Sequence, residues 1–581
     1  MSFFYRRKEI EIKNAIKNSL YSLCIISLIT LAVNFCGKNE EVRMLKVGLP
    51  EEPKTLNIWL ASDANSHKVL SQMYQPLFVR NPDSLKLTPW LAEAEPVFDE
   101  KTLSYTVRIK EAKWSDGSEL TSEDVAFTGN FIKEFKIPRY ISRWDFIERI
   151  DTPDKRTVRF YLNEPKAIFL SRTLVTSIVP KSEWSHVVKS ARESEKPLIT
   201  LLNHKVENPL SSGPFVFKEW KQGAYVFLQK NKFFFGAGKN IDEFSIGPNI
   251  DGIIFKIFGT SDTAILSLKK GSIDMFWWNV QPGYLEDLKK HDHIRVFSSE
   301  KNGLYFMGFN VRKQPFDDVN FRRAIATLID KDFIISRILQ GYGVKMNSVV
   351  PPGNRLWYYP DVPKYADGAD REERIKKAHE ILSSAGYTWE IPPVDKGGNV
   401  VNGKAICLPN GQLMKEFTIL TPPADYDPLR ALSGTIIQEW LRVAGIPATA
   451  KPMAFGSLIQ QVKGSRQFDT FILGYGNLDL DPDWMRNFFH SKNDKPMGWN
   501  MSGYRNPEFD SIAEESSRTI DDEKRRELVW VMQKIILRDL PYIPLYNPKL
   551  NEAVRADKFE GWVETLGGIG NVWSLCTLRP K

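Results

Sequence analysis

Between Phe98 and Thr128 the chain reads FDEKTLSYTVRIKEAKWSDGSELTSEDVAFT, and its local signals leave little conformational freedom. Leu103, Tyr105, Val107 and Ile109 alternate with Ser104, Thr106, Arg108 and Lys110. That two-residue period predicts a strand with one apolar face. Trp114 and the Ser115-Asp116-Gly117 turn end the strand. Thr121 then stands three residues before Asp124, an Asp variant of the capping box, and Val125 and Phe127 begin the apolar stripe of a helix. A strand, a fixed turn and a helix start thus follow one another within about thirty residues.

With 581 residues, 42% of them hydrophobic, the chain can bury a large core and divide into more than one domain. Charged residues make up 26% and are well mixed, so the net charge of +8 comes from no single basic tract. This leaves acidic ligands and an anionic membrane surface open, and gives no nucleic-acid footprint.

The N-terminus carries Arg6, Arg7, Lys8, Lys13 and Lys17, then the apolar run Leu20 to Phe35, LYSLCIISLITLAVNF, then Cys36-Gly37-Lys38-Asn39-Glu40. Such a run is short for a membrane span, where about 20 residues are needed, and fits the core of a signal peptide. The expectation is an exported protein with residues 1–35 as the signal peptide. A cysteine directly after the core resembles the lipobox at which bacterial lipoproteins are acylated, which makes Cys36 the candidate lipidation site. Leu31, Ala32 and Val33 suit that site, whereas Phe35 is large where a small residue is usual, so an uncleaved anchor or another cleavage position stays open. Cys24 falls in the signal core, and Cys407 and Cys576 are left either to bridge or to remain thiols.

Several constellations fail the chemistry they suggest. Gly398-Asn399-Val400-Val401-Asn402-Gly403-Lys404 has P-loop spacing, but Ala405 stands where a magnesium-binding hydroxyl is needed, and the stretch reads as a hairpin of Asn-Gly turns. Asp479, Asp481 and Asp483 alternate as in a calcium loop, yet Trp484 takes the glycine position and His490 the glutamate position, which excludes an EF-hand. His291-Asp292-His293 lacks a third ligand nearby and reads as a solvated loop. No GxSxG, HExxH or zinc-type cysteine spacing occurs, so the expectation is no enzyme, no cofactor and no metal, with a peptide hydrolase as the alternative from another class. Aromatic residues reach 12%, and several sit at loops: Trp59, the pair Trp277-Trp278, and Tyr475 between Gly474 and Gly476. Aromatic walls offer large contact area at low entropy cost and suit a pocket that takes varied side chains.

The order of these words resembles one family throughout. Trp114 to Val125, with its Trp-x-Asp-Gly turn followed by Leu-Thr-x-x-Asp-Val, resembles the signature of the family 5 extracellular solute-binding proteins. So do Met44 to Leu49 as an opening strand before Thr55-Leu56-Asn57-Ile58, and the turn Ser211-Ser212-Gly213-Pro214-Phe215. The helix ending in Lys270-Gly271-Ser272-Ile273-Asp274, the strand Leu304 to Asn310, and the helix pair from Phe316 through Ile329-Asp330-Lys331 to Gly341 follow in the family's order. Phe468 to Pro548 continues it, with Asp481-Pro482-Asp483, Gly503 to Glu508 and Leu540 to Pro544.

The resemblance implies an α/β, two-lobed periplasmic-binding-protein fold of the large type II, with an inserted subdomain in the first lobe. Its implied segments are 36–95, 213–303 and 510–581 for the first lobe, 96–212 for the insertion and 304–509 for the second lobe. It also implies the extracytoplasmic binding subunit of an ATP-binding cassette importer, a monomer held in the cell envelope by a lipid anchor. The subunit would capture peptides or a similar small solute for membrane permease subunits, with no part for nucleic acid. The same fold in the family carries oligosaccharides, haem or nickel chelates as well. The ligand contacts so implied are Trp59, Trp277, Trp278, Tyr305, Tyr475, Asp479, Asp481 and Asp483. In peptide binders an Asp before the Asp-Pro-Asp element pairs with the ligand's amino terminus, a task for which a carboxylate supplies charge-assisted hydrogen bonds. Here Leu478 stands at that place, counted from Gly474, and Asp479 lies one residue later.

Overall fold

Met44–Leu49, which buries Leu45, Val47 and Leu49, sits inside a seven-stranded sheet, pairing in parallel with Gly252–Ile257 on one side and Met275–Phe276 on the other. The computed structural model describes residues 43–581, so the basic and apolar leader and Cys36 lie outside the described residues. In this first sheet the order is Phe215–Lys221, Tyr225–Lys230, Gly252–Ile257, Met44–Leu49, Met275–Phe276, Leu550–Arg555, Ile294–Ser299. A second sheet of six strands runs Gly343–Lys345, Tyr542–Pro548, Leu304–Phe309, Thr470–Tyr475, Phe417–Thr421, Ala448–Pro452.

The second sheet is covered on both faces, as the alternation along Leu304–Phe309 requires. Leu304 and Phe306 enter one core with the helices Trp484–Phe489, Pro507–Arg518 and Asp522–Asp539. Met307 and Phe309 enter another with Val319–Leu328, Arg371–Ser384 and Pro428–Val443. The chain passes from the first sheet to the second through residues 300–303 and returns at Lys549, so two short adjacent crossovers join the two lobes. Asn547 Nδ2 donates to the Lys301 carbonyl (2.6 Å) and ties the crossovers together. The second lobe therefore extends to Pro548 rather than to the expected boundary at 509. Pro507–Arg518 and Asp522–Asp539 bury their apolar faces beneath Phe306 and Phe471, and Tyr542–Pro548 pairs with Leu304–Phe309.

A four-stranded antiparallel sheet lies wholly within the segment expected as an insertion, in the order Val97–Asp99, Ser104–Arg108, Thr157–Leu162, Ile147–Asp154. The strand, turn and helix read from Phe98 to Thr128 are present as Ser104–Arg108, a turn closed by Gly117 N to Trp114 O (2.9 Å), and the helix Ser122–Glu134. Asp124 accepts from the Thr121 amide (2.8 Å), its box role, and also from the Lys181 amide (2.8 Å) that opens the helix Lys181–Arg192. One carboxylate thus caps two helices and fixes the angle between them. The apolar residues of this subdomain and of the first sheet form one continuous core.

The glycine-rich 398–404 stretch is the connection of a hairpin, Thr388–Ile391 paired with Lys404–Cys407. Cys407, in that hairpin, and Cys576, in the helix Val572–Thr577, are both free thiols. Among the described residues no helix is long and apolar enough to cross a membrane, and no three His, Cys, Asp or Glu side chains group as a metal ion would need.

Candidate functional site

The segment from Gly474 to Asp483 leaves the end of a central strand of the second sheet and runs across to the first lobe. Leu478 N donates to Asn302 O (2.6 Å), and Asn302 Nδ2 donates back to the carbonyls of Leu478 (3.0 Å) and Asp479 (2.8 Å). Between these anchors, Gly476 and Asn477 make no backbone hydrogen bond among the described residues. Two consecutive free peptide groups at the end of a sheet strand are what an added extended chain pairs with.

Each of the three candidate aspartates has an arginine. Asp479 Oδ2 lies 2.9 Å from Arg172 Nε of the inserted subdomain. Asp481 is fully buried and takes a two-pronged contact from Arg525, 2.7 Å on each oxygen, with Ser171 Oγ (2.5 Å) and the Asp483 amide (3.0 Å) also donating. Burial alone would raise its carboxyl, but the Arg525 charge and these donors hold it well below the usual carboxylate range. Asp483 pairs with Arg486 at 2.9 and 3.1 Å. It stands at the cap position of Trp484–Phe489 without a side-chain cap bond. Ser171, Arg172 and Ala167, whose amide donates to Ser517 O (3.0 Å), belong to the first lobe, whereas Asp481, Asp479 and Ser517 belong to the second. These contacts hold the lobes together along one edge.

The aromatic candidates divide by depth. Trp59 is 3% exposed, stacked on Phe131 (4.9 Å between centroids) and edge-on to Tyr140 and Trp184, so its ring is core to the first lobe. Asn57 fixes its loop, donating to the carbonyls of Leu201, Leu202 and His204 and accepting from the Trp59 amide. Trp277 is buried, while Trp278 is 37% exposed with the Lys68 ammonium 4.6 Å above its ring. Lys68 also donates to the Trp277 carbonyl, and its burial pulls the ammonium down to about 8. Glu552, beside it, is pushed up to about 7 by burial; its Oε2 accepts from the Ile569 amide (2.7 Å) and its Oε1 is buried with no partner. Tyr305 stacks on Tyr546 (5.2 Å) and covers Gly474, where a side chain would collide with its ring.

Tyr475 belongs to a shelf that sequence reading found only in part: its ring meets Phe488 (5.0 Å) and Trp499 (6.4 Å), and Phe488 stacks on Trp499 (5.8 Å). Trp499 is 47% exposed and carries the Lys463 ammonium 3.9 Å from its ring. A second exposed stack, Tyr426 on Phe455 (4.8 Å) with Arg430 beside both rings, was likewise missed. No short motif marks Trp499 or Tyr426; their exposure, set by the fold, is the signal. The arrangement offers free peptide groups, half-exposed rings and cations beside them, which suits holding a solute with both polar backbone and varied side chains.

Comparison with known proteins agrees with this geometry. The model of the bacterial extracellular solute-binding proteins, family 5, matches residues 86–496. The oligopeptide-binding protein AppA of Bacillus subtilis strain 168 is 28% identical over 572 residues, covering 94% of this chain and 96% of its own. Di/tripeptide-binding protein 1 of Pseudomonas aeruginosa UCBPP-PA14 is 25% identical, with coverage of 94% and 96%. The structure of Bacillus subtilis AppA in complex with a nonapeptide superposes with a TM-score of 0.64 at 25% identity, over 93% of this chain and 99% of that one.

Proposed function

Since the chain belongs to the bacterial extracellular solute-binding proteins of family 5, we propose that it captures oligopeptides between its two lobes and delivers them to the permease subunits of an ATP-driven importer. The observation that carries the peptide reading is the pair of unbonded peptide groups at Gly476 and Asn477, next to the partly buried ring of Tyr475. An extended ligand would add its backbone there, and main-chain pairing makes affinity tolerant of ligand sequence. Side chains would rest on Tyr475 and Trp499 from the second lobe, with Phe488 buried behind them, and on Trp278 from the first. The names of similar proteins, an oligopeptide-binding and a di/tripeptide-binding protein, support the same class.

Closure follows from this reading. A ligand that touches both lobes has a differential affinity for the closed form, and only such a difference shifts the equilibrium. Asp479 and Asp481, engaged by Arg172 and Arg525, would act in closure rather than as the ligand's amino-terminal anchor. Binding without chemistry is the proposed role, with no catalytic residues. The leader ending at Phe35 would direct export, and Cys36 would carry the lipid anchor.

Native mass spectrometry of the mature protein, with release and identification of what it carries, tests the reading. A heterogeneous set of short peptides is expected. A single sugar, haem or metal chelate would replace the substrate class, and cleavage of added peptides would reopen a hydrolase. Incorporation of labelled fatty acid that survives Cys36→Ser would remove the anchor.

A further inference from the structure

Arg143 is a half-buried cation with no ion-pair partner among the described residues. It is the last residue of the short helix Ile141–Arg143 in the first lobe; its Nε is buried with no partner, and among the described residues no carboxylate or carbonyl is bonded to its guanidinium. Its guanidinium carbon lies 5.8 Å from the face of Tyr140. Burial disfavours the charged form and the Arg172 charge works in the same direction, while the Asp479 charge opposes them. A desolvated charge left unpaired costs several kcal/mol in principle, so such groups in proteins are normally paired or meet a ligand.

The surroundings show where a partner would sit. Arg143 lines a cavity of about 440 Å³ together with Arg80, Ser171, Asp479, Leu480 and Trp573. Asp479 and Leu480 come from the second lobe and the others from the first, so the cavity is complete only when the lobes meet. Arg80 donates one hydrogen bond, to Leu85 O (3.1 Å), and has no carboxylate within ion-pair distance among the described residues. The acids around it are already taken: Asp479 by Arg172 at 2.9 Å and Asp481 by Arg525 at 2.7 Å. Asp522, the third carboxylate that Arg80 feels, is pushed up by burial and by the Asp481 charge, despite the nearby Arg525. Of the charged residues that line the cavity, the two guanidinium groups of Arg80 and Arg143 face the single carboxylate of Asp479.

We propose that this cavity receives a carboxylate of the bound solute, with Arg143 as its principal ion-pair partner and Arg80 as the second donor. The inference rests on the peptide-binding reading and narrows it to peptides that place a negative charge at this end of the cleft. That charge is either the ligand's own terminal carboxylate or an acidic side chain. A planar guanidinium meets a carboxylate with two parallel hydrogen bonds, which gives orientation as well as affinity. Because the second lobe supplies part of the wall, filling the cavity also favours closure.

Isothermal titration of the mature protein with three short alanine-rich peptides tests this: a C-terminally amidated neutral peptide, the same peptide with a free carboxylate, and the amidated peptide bearing one glutamate. At least one anionic peptide is expected to bind at least about tenfold more tightly than the neutral one. Arg143→Gln is expected to remove that gap, with Arg80→Gln reducing it in part. Which anionic peptide shows the gap identifies the source of the carboxylate. Equal affinity for all three peptides, or a gap that survives both substitutions, overturns the inference and leaves peptide binding intact. A wild-type protein that binds none of the three overturns the peptide reading and this inference with it. The ligand-free Arg143→Gln protein should melt no lower than wild type, and a large drop would reveal a structural partner for Arg143 and sink the proposal.

Discussion

Removing the Asp481 carboxylate leaves the Arg525 guanidinium buried, 5.0 Å from the face of Trp357, without its ion-pair partner. Asp481→Ala should therefore cost about 3–5 kcal/mol in urea denaturation, and adding Arg525→Met should recover much of the loss. A loss below about 1 kcal/mol would mean the pair is dispensable. The wild-type pair also sets an acid limit. A carboxyl held below its unfolded value of about 3.9 contributes stability that is complete above that pH and is lost as pH falls through the lower folded value. Glu552 has the opposite sign. Its folded value, raised from 4.5 to about 7, contributes stability that is complete below 4.5 and lost as pH rises through about 7, a change of about 3 kcal/mol. Lys68 and Glu564 are the charged groups that act on it, and Lys68 sits on the same wall beside Trp277 and Trp278. Glu552→Gln should flatten the stability profile between pH 4.5 and 8, and an unchanged profile would assign the slope to other groups.

At the scale of elements, the turn Ser211-Ser212-Gly213-Pro214 shows how sequence and packing divide the work. Ser212 N and Gly213 N both donate to Met73 O (2.9 and 2.8 Å), and Phe215 N donates to Gln72 O (3.2 Å). The turn is thereby pressed onto the end of the helix Ala64–Leu70 and the residues after it. A Cβ at Gly213 would run into the Gln72 carbonyl, a backbone atom that cannot rotate away. Gly213→Ala should lower stability by about 1–3 kcal/mol, read as a fall in melting temperature. An unaltered melting temperature would show that the backbone there gives way easily. The same logic explains the Asp124 box: as well as serving its own helix, it caps Lys181–Arg192, 57 residues later in sequence.

For the whole molecule the question is what holds the lobes closed. Arg172 to Asp479 and Ser171 to Asp481 cross the boundary beside the cavity, while residues 300–303 and Lys549 are the covalent joints. If these contacts favour closure, Asp479→Ala and Arg172→Gln should each weaken peptide binding by about tenfold or more, roughly 1.4 kcal/mol. Both should also enlarge the ligand-free radius of gyration in small-angle scattering. N-terminal acetylation of the peptide separates this from ammonium capture. Under the closure reading it leaves both losses in place, whereas a loss for Asp479→Ala that vanishes with acetylated peptides would return that carboxylate to the ligand.

Local pattern alone determined the strand at Met44–Leu49, the strand, turn and helix from Ser104 to Glu134, the stop at Gly271 and the hairpin nature of the 398–404 stretch. Each depends on neighbours a few residues away, where steric limits and capping bonds act. The crowding of rings at Tyr475 was half legible, because flanking glycines marked Tyr475 but nothing in sequence marked Trp499, whose exposure the fold sets. Three matters needed the tertiary structure. The return of the chain to the first sheet at Leu550 rather than near 510 depends on helices at 507–539 finding their partners under Phe306 and Phe471. The engagement of Asp479 and Asp481 by Arg172 and Arg525 depends on residues 307 and 44 positions distant, and no spacing rule spans such distances. The lack of an ion-pair partner for Arg143 depends on Arg172 having taken the neighbouring Asp479, a property of the packed molecule that the order of residues along the chain does not contain.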